Sequence, residues 1–181
     1  MRIPTKPKTA TASFRVDKSA LDALHEDATM QNVSVNTLLN QLLLTYANYD
    51  RPMKRFQVVK LPASTFRHIL QGAEDGTLAE AGTSAGSDVP RTYILAKRGK
   101  LTVENCLEYL RTMSTHAKLF DFSEVSNEGT RSVTLSHNFG AKGTLFLQHY
   151  VQSIFAPLGK EVKFSFDDNA VVFEIRFTGE L

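Results

Sequence analysis

The chain of 181 residues has a single cysteine, Cys106. One thiol excludes an intrachain disulfide and cannot supply the usual ligand set of a structural zinc site. Cys106 falls inside a helical pattern, so a buried, inert thiol is expected there. No stretch approaches the roughly 20 consecutive apolar residues of a membrane span. The first residues carry Arg2, Lys6 and Lys8 but no apolar core of a secretory signal. A cytoplasmic protein without membrane contact is therefore expected. The five histidines are scattered. The glycines of residues 140–143 precede a helix without the spacing of a phosphate-binding loop. Asp167 and Asp168 are paired carboxylates in a turn signal, and no nucleophile–base pair can be argued from spacing. The expectation is a protein that is not an enzyme and needs neither metal nor cofactor.

Hydrophobic content of 42% and charged content of 22% place the chain among ordinary globular proteins. The net charge is only +2 but is unevenly placed. Up to residue 55 the cations Arg2, Lys6, Lys8, Arg15, Lys18, Arg51, Lys54 and Arg55 face five acids, Asp17, Asp22, Glu26, Asp27 and Asp50. That gives +3, and leaves −1 for the rest. No acid precedes Asp17. A basic arm leading into a polar segment favours contact with a polyanion. Residues 1–9, with Pro4 and Pro7, are expected to be a disordered arm.

Residues 11–46 organise the rest. Ala12, Phe14 and Val16 share one parity, and Thr11, Ser13 and Arg15 share the other, so residues 10–16 are expected to form a strand with one apolar and one polar, basic face. Asp17 suits a helix N-cap. Leu21, Leu24 and Ala28 follow at helical spacing. Asn32 tolerates the left-handed conformation that breaks a helix, and Ser34 caps a second helix carrying Leu38, Leu39, Leu42, Leu43 and Tyr46 on one face. One strand and two short helices cannot close a core, and a lone strand leaves both its edges unpaired. A second copy of the chain would solve both problems.

The segment SFRVD, the Asn-x-Ser turn at Asn32 and Ser34, and the helix VNTLLNQLL resemble the ribbon-helix-helix family of DNA-binding proteins, with Asn32 where that family usually has glycine. The resemblance covers the first quarter of the chain. It implies a β-α-α unit over residues 10–50 that intertwines with its copy, with Phe14, Val16, Leu21, Leu24, Leu38 and Leu42 in the dimer core. It further implies a two-stranded ribbon in the major groove of double-stranded DNA, where Thr11, Ser13 and Arg15 reach base edges. Lys6 and Lys8 of the arm, and Ser34, Val35 and Asn36 at the positive end of the second helix, would then hold phosphates.

Residues 51–54 are expected to be a linker, and residues 55–181 a separate α+β domain with an antiparallel sheet, serving ligand sensing or assembly. Within it the patterns predict a strand over residues 55–61 and a helix over 62–71 bearing Phe66, Ile69 and Leu70. A mobile loop is expected over 72–87, rich in glycine, alanine and serine, with at most a short helix at 78–81. Asp88 and Pro90 open a helix stopped by Gly99, and Thr102 caps another running to about residue 117. From Phe122 the period changes to two. A turn at Asn127, Glu128 and Gly129, a helix after Gly143, and a turn at residues 167–169 before Val171, Phe173, Ile175 and Phe177 read as hairpin, helix, hairpin. His137 shares the apolar parity of Val133 and Leu135; a hydrogen-bonded core histidine is the first expectation there, and the wall of a ligand pocket the second.

The leading expectation is a homodimeric, or higher-order, sequence-specific transcriptional regulator with a small-molecule effector or assembly domain. Two alternatives stay open. An antitoxin would use its C-terminal part against a toxin, although such segments are usually short. A small-molecule-binding protein or enzyme with an accessory DNA-binding module is the other.

Overall fold

A computed structural model describes residues 9–127, 129–159 and 162–176 of the chain. The arm up to residue 8 with Lys6 and Lys8, Glu128 of the first hairpin turn, and Phe177 lie outside the described residues. The chain divides into two compact units, Met1–Thr45 and Tyr46–Leu181.

The first unit begins, among the described residues, with helix rather than strand. Residues 9–17 carry no regular structure and are exposed throughout. The expected strand over residues 10–16 is thus not formed in the single chain, because a strand is defined by hydrogen bonds to a neighbour and the described residues supply none. Helix α1 (Lys18–Met30) is capped by Asp17, whose carboxylate accepts the Ser19 backbone N–H at 2.9 Å. Its far end closes with Val33 N–H donating to the Ala28 carbonyl at 2.9 Å and Asn32 N–H to that of Thr29 at 3.1 Å. Asn32 sits at φ 53°. This pair of bonds around a left-handed residue is a Schellman closure, in the place expected of Asn32. Helix α2 (Val35–Thr45) starts at Ser34, whose hydroxyl accepts the Thr37 N–H at 3.1 Å.

The second unit departs from expectation at its start. Residues 51–54 are helical, not a linker: a π-helical turn (Tyr46–Asp50), α3 (Arg51–Met53) and a 3₁₀ turn (Lys54–Phe56) follow in succession. Pro52 lies in the first turn of α3, where its missing N–H costs no hydrogen bond. Tyr49 and Met53 are buried in the unit's main core. The expected strand over residues 55–61 does not form either. Gln57 turns the chain at φ 47°, and Val58, Val59 and Leu61 are exposed.

Helix α4 (Ala63–Gly72) buries Leu70, while Ile69, expected on the same face, is 54% exposed. The expected loop over residues 72–87 is instead the 13-residue helix α5 (Asp75–Ser87). Its glycines explain why. A Cβ on Gly82 would come within 2.4 Å of the Phe146 carbonyl oxygen, and one on Gly86 within 2.2 Å of that of Tyr150. Two bare positions four residues apart let α5 lie directly against the backbone of a later helix, and that packing outweighs the poor helix propensity of glycine.

Helix α6 (Val89–Arg98) ends at Gly99 with φ 72°, and Thr102 caps α7 (Val103–Thr112), both as expected. A π-helical turn (Met113–Ala117) completes that run. Strands β1 (Asp121–Asn127) and β2 (Thr130–Ser136) form the first hairpin, α8 (Gly140–Phe155) follows, and β3 (Val162–Asp167) and β4 (Ala170–Arg176) form the second. The four strands make one antiparallel sheet in the order β1-β2-β4-β3, so the second unit is α+β. Leu135 stands opposite both Phe122 and Val171, and Val133 opposite Phe173. Buried Val133, Leu135, Val171, Phe173 and Ile175 share one core with Leu107 and Leu110 of α7 and Leu147, Val151 and Phe155 of α8. Cys106 is fully buried in it, and burial pushes its thiol pKa up to about 12, as an inert thiol requires. Among the described residues no helix is long and apolar enough to cross a membrane.

Candidate nucleic-acid interface

Thr11, Ser13 and Arg15 are exposed and make no hydrogen bond or ion pair among the described residues. Their backbone is equally unused, leaving a row of donors and acceptors with water alone to satisfy them. The row ends at Asp17, where hydrogen bonds from the Ser19 hydroxyl and backbone hold the carboxylate below its ordinary pKa. The negative charge therefore stays fixed on the first turn of α1, turned to a capping role.

At the start of α2 the Ser34 hydroxyl is shared with Thr37, at 2.8 Å to the Thr37 hydroxyl. The backbone N–H groups of Val35 and Asn36 have no acceptor among the described residues. Ser34 and Asn36 are exposed and Val35 is half-buried. This turn keeps two free donors at the positive end of an 11-residue helix. In the single chain it shares no hydrogen bond with Thr11, Ser13 or Arg15.

The apolar residues expected in the dimer core divide unevenly. Leu38 is buried and Leu24 half-buried, while Phe14 (69%), Val16, Leu21 and Leu42 are exposed. Leu43, Leu44 and Met30 are exposed as well. Ala28 and Leu38 are the buried side chains among the described residues of this unit.

His137 lies just beyond the end of β2, where the strand parity no longer applies. Its backbone N–H donates to the Asn169 carbonyl at 2.8 Å, and its ring stacks on Phe139. Nδ1 accepts the Phe139 N–H at 3.2 Å. Nε2 must then carry the proton and donate to the Thr144 hydroxyl at 3.2 Å, which in turn donates to the Asp167 carbonyl at 2.8 Å. Burial lowers its pKa, favouring this neutral form. Both ring nitrogens are occupied in joining the end of β2, α8 and the second hairpin. His137 lines neither of the two clefts described in this unit.

One of those clefts, of about 300 Å³, is lined by Arg51, Arg55 and Lys97. Sequence reasoning passed over it because residues 51–54 read as a linker. Their cation density, Arg51, Lys54 and Arg55 within five residues, was the available signal. Among the described residues no group of three or more His, Cys, Asp or Glu side chains is placed to hold a metal. No protein-family model matches the sequence, and no curated protein is similar to it.

Proposed function

We propose that the chain is a dimeric, sequence-specific DNA-binding transcriptional regulator of ribbon-helix-helix type. Residues 10–16 of two copies pair as an antiparallel ribbon, and α1 and α2 intertwine beneath it. Thr11, Ser13 and Arg15 read base edges in the major groove. Lys6 and Lys8, with the free N–H groups around Ser34, Val35 and Asn36, take phosphates. The second unit serves as effector or assembly domain.

The observation that carries this reading is the unfinished state of the first unit. Phe14, Val16, Leu21 and Leu42 are exposed in the single chain, beside a segment whose backbone has no partner. Pairing with a second copy would satisfy the backbone and cover the apolar side chains at once, leaving the polar parity outward. An antitoxin reading draws less support, because the second unit holds a complete core of its own.

Selection of bound duplexes from a random library by the full chain is expected to return a two-fold symmetric site. Arg15→Ala is expected to cut discrimination between that site and a scrambled duplex by about 1–3 kcal/mol for each base edge it no longer reaches. Discrimination unchanged by Arg15→Ala, measured by competition binding, would refute direct readout by this face.

A further inference from the structure

The cleft of about 300 Å³ in the second unit gathers three cations, Arg51, Arg55 and Lys97, and no carboxylate lines it. Arg51 and Arg55 are exposed and have no ion-pair or hydrogen-bond partner among the described residues. Lys97 is half-buried; its ammonium donates to the Tyr93 hydroxyl at 3.2 Å and lies 5.4 Å above the same ring, with no ion pair among the described residues. Several other cations of this unit have acidic partners. Arg98 pairs with Glu108, Arg111 with Glu104 and Glu124, and Lys142 with Asp75. Three positive charges lining one cleft with no carboxylate in its lining repel one another, and an anion bound among them turns that repulsion into attraction.

The walls of the cleft are held in place. Tyr93 is buried, and its hydroxyl donates to the Asn48 carbonyl at 2.5 Å, tying α6 to the π-helical turn before α3. Met53, between the two arginines in sequence, is anchored in the core. The guanidinium groups therefore project from fixed backbone. The remaining lining is mostly apolar, with one hydroxyl: Ala47, Pro52, Ala96 and the half-buried Phe56, with Thr92. Cations and an aromatic ring lining one cleft suit a ligand with a charged end and a flat ring. Arginine forks match phosphate oxygens, and an aromatic side chain offers a stacking surface to a base. The volume falls at the lower end of small-ligand pockets.

We propose that this cleft binds a mononucleotide-like ligand, with its phosphate held by Arg51, Arg55 and Lys97 and its ring against Phe56. A small molecule fits better than a nucleic-acid backbone, which needs exposed cations but no recess with a mostly apolar lining. Binding here does not depend on what the first unit does. Control of DNA affinity by the ligand would rest on the regulator reading.

The test is calorimetric titration of the full chain with AMP, GMP, CMP and UMP, with inorganic phosphate and adenosine as half-ligands. At least one nucleotide is expected to bind, more tightly than either half-ligand. Arg51→Ala and Arg55→Ala are each expected to weaken it about tenfold, with unchanged thermal unfolding because neither side chain has a partner among the described residues. Lys97→Met provides a third variant with the stem retained. Three results would overturn the proposal: no heat with any of the four at millimolar concentration, binding indifferent to all three substitutions, or loss of affinity for random-sequence duplex DNA in the double arginine variant with no nucleotide bound. A wild-type chain that binds a nucleotide but no duplex DNA would instead count against the regulator reading alone.

Discussion

The two units of this chain solve the problem of burial differently. The second closes a core from its own residues. Leu107, Leu110, Leu135, Leu147, Val151, Phe155, Phe173 and Ile175 are almost fully buried, and its four strands satisfy one another. The first, among its described residues, buries Ala28 and Leu38 and leaves Phe14, Val16, Leu21, Met30 and Leu42 in solvent. Its local structure is nonetheless well specified, with a capped start, a Schellman closure and a second cap. Good helix signals without a core mark a unit that is built to be completed from outside. Small units bury too little surface to stand alone.

That contrast can be broken at Phe14. If its ring is as exposed in solution as in the single chain, Phe14→Ala changes stability by no more than the ±0.5 kcal/mol typical of surface positions. If it fills a dimer core, the same substitution costs about 3–5 kcal/mol and abolishes DNA binding with it. Chemical denaturation at several protein concentrations checks which holds, and the large cost is expected.

In the second unit the sharpest comparison lies within α5. Gly86→Ala forces a Cβ against the Tyr150 carbonyl, where backbone cannot yield cheaply. The expected loss is about 1–3 kcal/mol, as for overpacked cores. Gly76→Ala, in the same helix with nothing within 4 Å of the new methyl, is expected to gain about 0.5–1 kcal/mol from helix propensity. Equal effects at the two sites, by thermal unfolding, would show that α5 does not press on α8.

A smaller effect is expected from pH at His137. Burial lowers its pKa in the folded chain, so the unfolded chain binds the proton more readily. Stability is then complete above the ordinary imidazole range and declines as pH falls through it. Protonation would also place a hydrogen on Nδ1, facing the Phe139 N–H that it now accepts. The melting temperature of the wild type is expected to fall between pH 7.5 and 5.5 more steeply than that of His137→Gln. Parallel profiles would remove His137 from the account.

Much of this architecture is legible in the residues alone. Asn32, Gly99 and Thr102 act where their conformational and capping preferences place them, and the alternation in β2 and β4 marks the buried sheet face correctly. The failures share a cause. Helix α5 reads as loop because its glycines and serines are poor helix formers, and only a partner backbone makes bare positions an advantage. Residues 51–54 read as linker because Pro52 breaks a helix interior but not a first turn. Residues 55–61 alternate like a strand yet find no neighbour to pair with. His137 is the hydrogen-bonded histidine expected rather than a pocket wall, but no local pattern connects it to its partners Thr144 and Asn169. The basic cleft is hidden for the same reason, since Lys97 reaches Arg51 and Arg55 only through the packing of α6.

If the first unit becomes complete only as a pair, the molar mass and the helical circular dichroism of residues 1–45 must change together across a dilution series. Twice the mass of the fragment is expected at high concentration, with mass and helicity falling together on dilution. A monomer that keeps its full helical signal at micromolar concentration would contradict the pairing.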